Sequence, residues 1–325
     1  VVGGNIGKPV LSLPEIVKTR YYVLELSSFQ LDLAKSLRVN TALFLNLSPD
    51  HIDRHGDMAG YIAAKKRIFL NQTREDAAII GVDDVWSQGV CAWLMSSGAR
   101  KVTPVSADGA LGRGVFALNG KLYFSLREKS GEAGDISGIA ALRGQHNWQN
   151  AAAALAAAIA EGVAPNVAVR AMERFPGLPH RMEIVARRGP VLFVNDSKAT
   201  NADAASRALK SYSDIFWIAG GKPKEGGIES LRPLMARVKG VYLIGEAARD
   251  FEAQLAGTAP CLQCGDLASA VRRAAQDAAA SGLANPVVLL SPACASYDQF
   301  RNFEERGDVF RKLAGEVELA NGAAA

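Results

Sequence analysis

The sequence predicts an α/β protein of two domains, a parallel-sheet domain over residues 1–177 and a doubly wound α/β domain over residues 178–325. Three observations carry this. Short apolar, β-branched runs recur and each ends in a polar loop, as strands buried in a parallel sheet do. After residue 190 such runs alternate regularly with helical segments. Between the two regions lies FPGLPHR, residues 175–181, whose two prolines and glycine read as an interdomain hinge. A chain of 325 residues is long enough for two such cores.

The elements follow in order. The chain opens VVGGNIGKPV, a glycine-rich turn with no methionine, of the kind found inside a domain, so the first domain is expected to be incomplete at its N-terminus. Tyr21–Leu26 (YYVLEL) and Thr41–Leu47 (TALFLNL) read as buried strands. Asn119-Gly120 divides Val115–Leu126 into two alternating runs, the sequence signature of a hairpin, here expected to be a small antiparallel appendage. Asn147–Glu161 is helical by composition and stops at Gly162 as a helix C-cap would. In the second domain, strands are expected at 191–195, 215–219, 241–244 and 287–290, with helices near 202–210, 247–255, 267–280 and 300–317.

Composition excludes several classes. The 37 basic and 33 acidic residues are interspersed, giving a net charge of +4 with no basic run that would mark a nucleic-acid or membrane footprint. No apolar stretch is long enough to span a bilayer, and the start does not read as a signal peptide. Four scattered cysteines do not make a disulfide framework and point to a reducing, cytoplasmic setting. The Cys261/Cys264 spacing, with no second pair and no histidine nearby, is read as coincidence.

Ligands of open parallel sheets sit at the carboxyl ends of strands, and the residues there are polar in this chain. Glu25, Ser27, Ser28 and Gln30 follow the first predicted strand; Asp50, His51, Asp53, Arg54 and His55 follow the second. Asn195 to Asn201 and Ser296 to Asp298 occupy the corresponding places in the second domain. All four histidines, His51, His55, His146 and His180, fall in such loops. HIDRH lacks the glutamate beside its first histidine that a zinc protease helix carries, so magnesium held by Glu25 and His51 fits better than zinc. GGNIGKP is not a Walker A loop, because only three residues rather than four lie between Gly3 and Gly7 and Pro9 stands where Ser or Thr is needed. GALGRG opens a hairpin rather than a helix and fails as a dinucleotide fingerprint.

Taken together, GGNIG, LELSSFQL, NLSPDHIDRH, YIAAKKRIF, GQHNWQNAAAALAAA, FPGLPHRME, NDSKATN, IAGGKPKEGG and SPACASYDQFRNFEERG resemble the Mur ligases, in particular their D-glutamate-adding branch. The resemblance runs from the first residue to about Gly315, with GQHN and the SPDH loop shared more widely, folylpolyglutamate synthases included. It implies a central ATPase-type domain, lacking here its Walker A strand and loop, and a Rossmann-like C-terminal domain. The implied activity is ATP-dependent addition of D-glutamate to UDP-N-acetylmuramoyl-L-alanine through an acyl phosphate, in peptidoglycan precursor synthesis, by a cytoplasmic monomer. A fragment without its phosphate loop is expected to be inactive.

The resemblance also implies roles. Glu25 and His51 hold magnesium, and Lys65 occupies the position that the family carries as a CO2-derived carbamate, an anionic oxygen ligand for a second magnesium. Lys66, about 100° around the helix, faces elsewhere. Asn5, Ser27 and Gln30 contact the UDP-sugar substrate, and Asn147 and Asn150 reach the adenine of ATP. Arg181, Asp196 and Lys198 lie on the nucleotide side, with Arg181 and Asp196 holding ribose and phosphates once the domains close. For D-glutamate the matches are Thr200, Lys198, Ser296, Phe303 and Lys224, with Lys222 as the alternative lysine. GGKPKEGG departs here from the family form, with Gly227-Ile228 replacing an acidic-aromatic pair. The competing readings are a non-catalytic relative that binds nucleotide or precursor, and a folylpolyglutamate synthase, which the SPACASYDQF segment disfavours.

Overall fold

A computed structural model describes residues 1–126, 129–224 and 226–318. Contacts divide it into two compact units, residues 1–136 with 148–172, and residues 137–147 with 173 onward.

The first unit contains β1 (Val2–Gly4), β2 (Val23–Glu25), α1 (Ser28–Leu33), β3 (Thr41–Phe44), a single turn α2 (Ile52–His55), α3 (Met58–Lys66), β4 (Ala77–Gly81) and α4 (Val85–Ser97). Then come β5 (Lys101–Ser106), β6 (Gly114–Leu118), β7 (Lys121–Leu126), β8 (Lys129–Asp135), most of α5 (Gln145–Ala160) and α6 (Pro165–Met172). β3 to β6 run parallel in chain order, and β7 and β8 continue the same sheet antiparallel. α3 and α4 cover one face around Phe44, Phe69, Ile80 and Leu94.

Two expectations are corrected. Asn119 and Gly120 do form the hairpin, with the paired positive φ values (49° and 81°) that a two-residue connection of this hand needs. The hairpin is not an appendage, because Val115 and Phe116 pair with β5 and carry the sheet onward. The YYVLEL segment is not buried: β2 pairs with β1 alone, in a separate two-stranded sheet, and Tyr21 and Val23 are 66% and 63% exposed. Apolar residues mark a strand there, but no described layer covers it.

α5 ends as its sequence requires. Val163 N–H donates to the Ala158 carbonyl and Gly162 N–H to that of Ile159, with Gly162 left-handed at φ 85°, the paired closing bonds of a glycine-terminated helix.

The second unit contains β9 (Glu183–Arg188), β10 (Val191–Asn195), α7 (Ala202–Ser211), β11 (Ile215–Gly220), β12 (Val238–Ile244), α8 (Ala248–Gln254), β13 (Cys261–Gly265), α9 (Leu267–Ala280), β14 (Val287–Leu290) and α10 (Phe303–Glu316). The strand order is β13-β12-β11-β14-β10-β9, parallel except for β9 at the edge. Two cores sandwich the sheet, one including Leu209, Trp217 and Phe251, the other Phe193, Val271 and Phe310. The sheet is thus covered on both faces, as the alternating pattern predicts. β9 was not expected: EIVARR carries too few apolar residues to read as a strand, and pairing with β10 across Gly189-Pro190 makes it one. Cys261 and Cys264 lie in β13 and pack against opposite cores, so strand alternation keeps the two thiols apart.

Candidate functional site

In the first unit the predicted residues converge on a small polar cluster. The loop after β3 places His51 left-handed at φ 52°, and its backbone N–H donates to Asp50 Oδ1 at 3.0 Å. His51 Nε2 lies 3.5 Å from Asp50 Oδ2, and its ring meets Phe29 edge-on at 5.1 Å. Glu25, the last residue of β2, accepts from Asn5 through both side chain (3.1 Å) and backbone (2.7 Å). Gly4 lies so close to that strand end that a Cβ would meet the Glu25 carbonyl at 2.2 Å.

Lys65, near the end of α3, lies over the Tyr61 ring at 5.1 Å. Burial pushes its pKa below the ordinary lysine range, while Asp50 and Glu25 act in the opposite sense. Both acids therefore face the same ammonium. Lys66 turns to Trp93, 3.7 Å from its ring centre. Asp50, to which the resemblance gives no role, stands directly before His51 in the sequence, the one signal there that it shares the cluster.

Among the described residues no three His, Cys, Asp or Glu side chains stand close enough together to hold a metal ion; the structure sets Asp50 beside His51 and brings the charges of Asp50 and Glu25 to bear on Lys65. Ser27 and Gln30, by contrast, serve one another. Ser27 caps α1 by accepting from the Gln30 N–H at 3.3 Å, and the Gln30 side chain accepts from the Ser27 N–H at 2.9 Å, a capping box. On α5, Asn150 is exposed, and Asn147 donates to the Arg143 carbonyl at 3.0 Å.

The second unit brings its residues to the carboxyl ends of β10, β11 and β14. Lys198 Nζ sits over the Phe303 ring at 5.0 Å. Thr200 follows, its N–H donating to the Lys198 carbonyl at 2.9 Å. Lys222 N–H donates to the Ala295 carbonyl at 2.9 Å, which joins the GGKPK segment to the loop carrying Ser296. Lys224 is exposed and acts electrostatically on Cys294 in that same loop, whose thiol burial pushes up to about 12. Gly220 and Gly221 make the approach possible: their φ values are 115° and 131°, and Cβ atoms there would meet the carbonyls of Ile244 and Ala295 at 2.1 and 2.4 Å.

Beneath these side chains lies a buried polar frame that the sequence did not disclose. Arg306 is fully buried and donates to Ser197 Oγ (3.0 Å) and to the carbonyls of Ser197 (2.8 Å), Cys294 (3.1 Å) and Ala295 (3.3 Å). Ser197 Oγ in turn donates to the Phe303 carbonyl at 2.8 Å. One guanidinium thus ties α10 to the loops that bear Lys198 and Ser296. Asp196 is buried, accepting from Ser291 Oγ at 2.8 Å and the Met182 N–H at 3.2 Å. Burial raises its pKa to about 7, against the lowering effects of those bonds and of Arg181. His180, left-handed at φ 62°, contacts Asn195 Nδ2 through Nδ1 at 3.1 Å.

The comparisons with known proteins agree with this architecture. The Mur ligase middle domain family matches residues 6–158, and the family described as Mur ligase, glutamate ligase domain, matches residues 180–294. The UDP-N-acetylmuramoylalanine--D-glutamate ligase of Caulobacter vibrioides (strain NA1000 / CB15N) is 54% identical over 324 residues, which cover 100% of this chain and 69% of that protein. The protein of the same name from Caulobacter sp. (strain K31) is 57% identical over 310 residues, 95% of this chain and 66% of its own length. A crystal structure of MurF from Acinetobacter baumannii superposes with a TM-score of 0.64 at 19% identity, covering 93% of this chain and 66% of that one, a likeness of fold. The fold is that of a ligase class built from a middle and a glutamate-ligase domain. The chain belongs to the Mur ligase family, and it spans about two thirds of the length of the curated relatives it matches.

Proposed function

We propose that this chain provides the metal-binding and amino-acid-binding parts of a UDP-N-acetylmuramoyl-L-alanine:D-glutamate ligase, acting in the cytoplasm on ATP and D-glutamate. The observation that carries the reading is the meeting of Lys198, Phe303, Lys222 and the Ser296 loop at three adjacent strand ends, within a unit matched by the glutamate ligase domain. Thr200 and exposed Lys224 belong to the same strand ends. An amino acid with a second carboxylate is the ligand that such lysines suit.

In this reaction the substrate carboxylate attacks the γ-phosphorus and ADP departs; the neutral amine of D-glutamate then attacks the acyl phosphate, loses a proton to solvent or to the departing phosphate, and phosphate leaves. The charge that develops lies on phosphoryl oxygens, so the protein's task is to position groups and neutralise charge. Glu25 and His51, with Lys65 once it carries a carbamate, would hold magnesium, which supplies that neutralisation. Burial of Lys65 raises the share of its neutral amine, the species that bonds to the carbon of CO2 and releases a proton to solvent. The resulting carbamate would give the cluster a further anionic oxygen. Asn5 holds the Glu25 side chain in place. Asn147 and Asn150 are assigned to the adenine and Arg181 and Asp196 to the ribose and phosphates, with Ser27 and Gln30 shaping the loop that meets the sugar substrate.

The test is phosphate release from ATP by the full-length encoded protein, given UDP-N-acetylmuramoyl-L-alanine and a panel of D- and L-amino acids. Release that depends on D-glutamate supports the reading. Release with another amino acid would redirect the specificity, where GGKPKEGG departs from the family form, and nucleotide binding without release would favour a non-catalytic relative.

A further inference from the structure

We propose that the first unit carries a second anion site, for a small phosphate-bearing molecule, at the end of its sheet opposite the metal cluster. A cavity of about 1070 Å³ opens at the amino ends of β3, β4 and β5, where Thr41, Ala77 and Lys101 begin their strands. β3 is about 13 Å long, and His51 lies in the loop beyond its other end.

The charges lining the cavity do not balance. Arg38 is taken by Asp76, with Nε to Oδ2 at 3.0 Å and Nη2 to Oδ1 at 3.2 Å. Lys101 pairs with Glu75 at 3.6 Å, and Glu161 accepts from Thr41 Oγ1 at 2.6 Å. Arg74, Arg100 and Arg113 remain, with no carboxylate within ion-pair distance among the described residues. Arg100 is the telling one. Its Nε and Nη1 are buried and have no hydrogen-bond partner, while the guanidinium lies 5.9 Å from the Trp93 ring centre. A guanidinium stays charged, and buried donors left unmade are costly, so a ligand that accepts from them has a gain waiting.

The chemistry selects the ligand. Guanidinium forks match the paired oxygens of phosphate, and five lining cations against the carboxylates of Glu75, Asp76 and Glu161 leave an excess of two, which favours a multiply charged phosphate over a single carboxylate. Met95, Val102 and Ile159 supply apolar wall for an organic body, and the volume suits a molecule of nucleotide size.

The test is calorimetric titration of inorganic pyrophosphate into the chain, with tryptophan fluorescence as a local report through Trp93. Saturable binding is expected, weakened at least about tenfold by the double variant Arg100→Gln/Arg113→Gln. Lys65→Ala should leave it unchanged, and Trp93→Phe should remove the fluorescence change while binding persists. Unaltered affinity in the arginine double variant, loss of binding in Lys65→Ala, or no saturation below about 10 mM would each overturn the proposal. If the double variant fails to fold, Arg74→Gln alone should weaken binding about threefold, and unchanged affinity there would overturn it equally.

Discussion

The two units solve the problem of holding polar side chains at strand ends in different ways. In the first, Glu25, Asp50, His51 and Lys65 stand largely in one another's company: His51 is half-exposed, Asp50 more so, and the direct bonds are few. In the second, the side chains assigned to the amino acid stand on a buried scaffold in which Arg306, Ser197, Asn195 and Asp196 have nearly every donor and acceptor engaged. On the proposed reading the contrast follows from ligand chemistry. A metal brings its own strong, ordering charge, so its donors need little prior fixing. An amino acid brings weaker bonds, and selectivity then depends on a site that is already built.

That contrast can be broken at several points. The largest effect is expected from Lys65→Ala, which should lower turnover of the full-length protein by about a thousandfold or more, with Lys65→Glu recovering part by returning a carboxylate. Equal activity of all three proteins, in a phosphate-release assay, would remove Lys65 from the mechanism. Urea unfolding should show little change for this substitution, since the first cluster is not a scaffold.

Arg306→Ala should do the reverse, costing about 3 kcal/mol of stability because it strips the donors from three carbonyls and a buried hydroxyl. Arg306→Lys should restore only part, as an ammonium cannot span acceptors on both loops. A loss under 1 kcal/mol in urea melts would show that the frame is held otherwise.

A finer effect concerns pH within the second unit. Asp196 has a folded pKa raised to about 7, so the folded state binds its proton more tightly than the unfolded chain does. Its contribution is fully present below about pH 4 and is lost as pH rises towards 7. His146, next to Gly144 and under the influence of Arg207, is pushed by burial down to about 4. Its contribution is present above about pH 6.5 and is lost as pH falls towards 4. The two slopes oppose one another across nearly the same range, and stability there should be almost flat. Asp196→Asn should unmask a fall on acidification, and His146→Gln a fall on alkalinisation. Flat profiles in both variants, measured by thermal melts from pH 4 to 7, would contradict the assignment.

The smallest effect tests the cap. Ser27→Ala should cost about 1 kcal/mol through loss of the capping box on α1, and a larger change in KM for the sugar substrate than in stability would add a direct contact to that role.

How much of this was legible in the sequence follows the same division. The parallel strands of the second unit and its helix at 267–280 could be read because both faces are buried, so apolar runs and helical periodicity speak plainly. β9 could not, since an edge strand needs only its backbone and one neighbour, and β2 misled because β-branched residues mark a strand but not what covers it. Among site residues, those that project at strand ends announce themselves as polar residues after apolar runs. Arg306 does not: within FEERGD it looks like any solvated helix charge, and only tertiary packing turns it inward.

Among the described residues β3 lies at the edge of its sheet, and its Leu43 is 39% exposed beside backbone donors and acceptors that no described strand pairs. Such an edge is a template on which a second extended segment can add. If that edge is open in solution, association should rise with concentration, which light scattering across a dilution series would check. Charge placed at Leu43, pointing outward, would blunt that edge without touching either site.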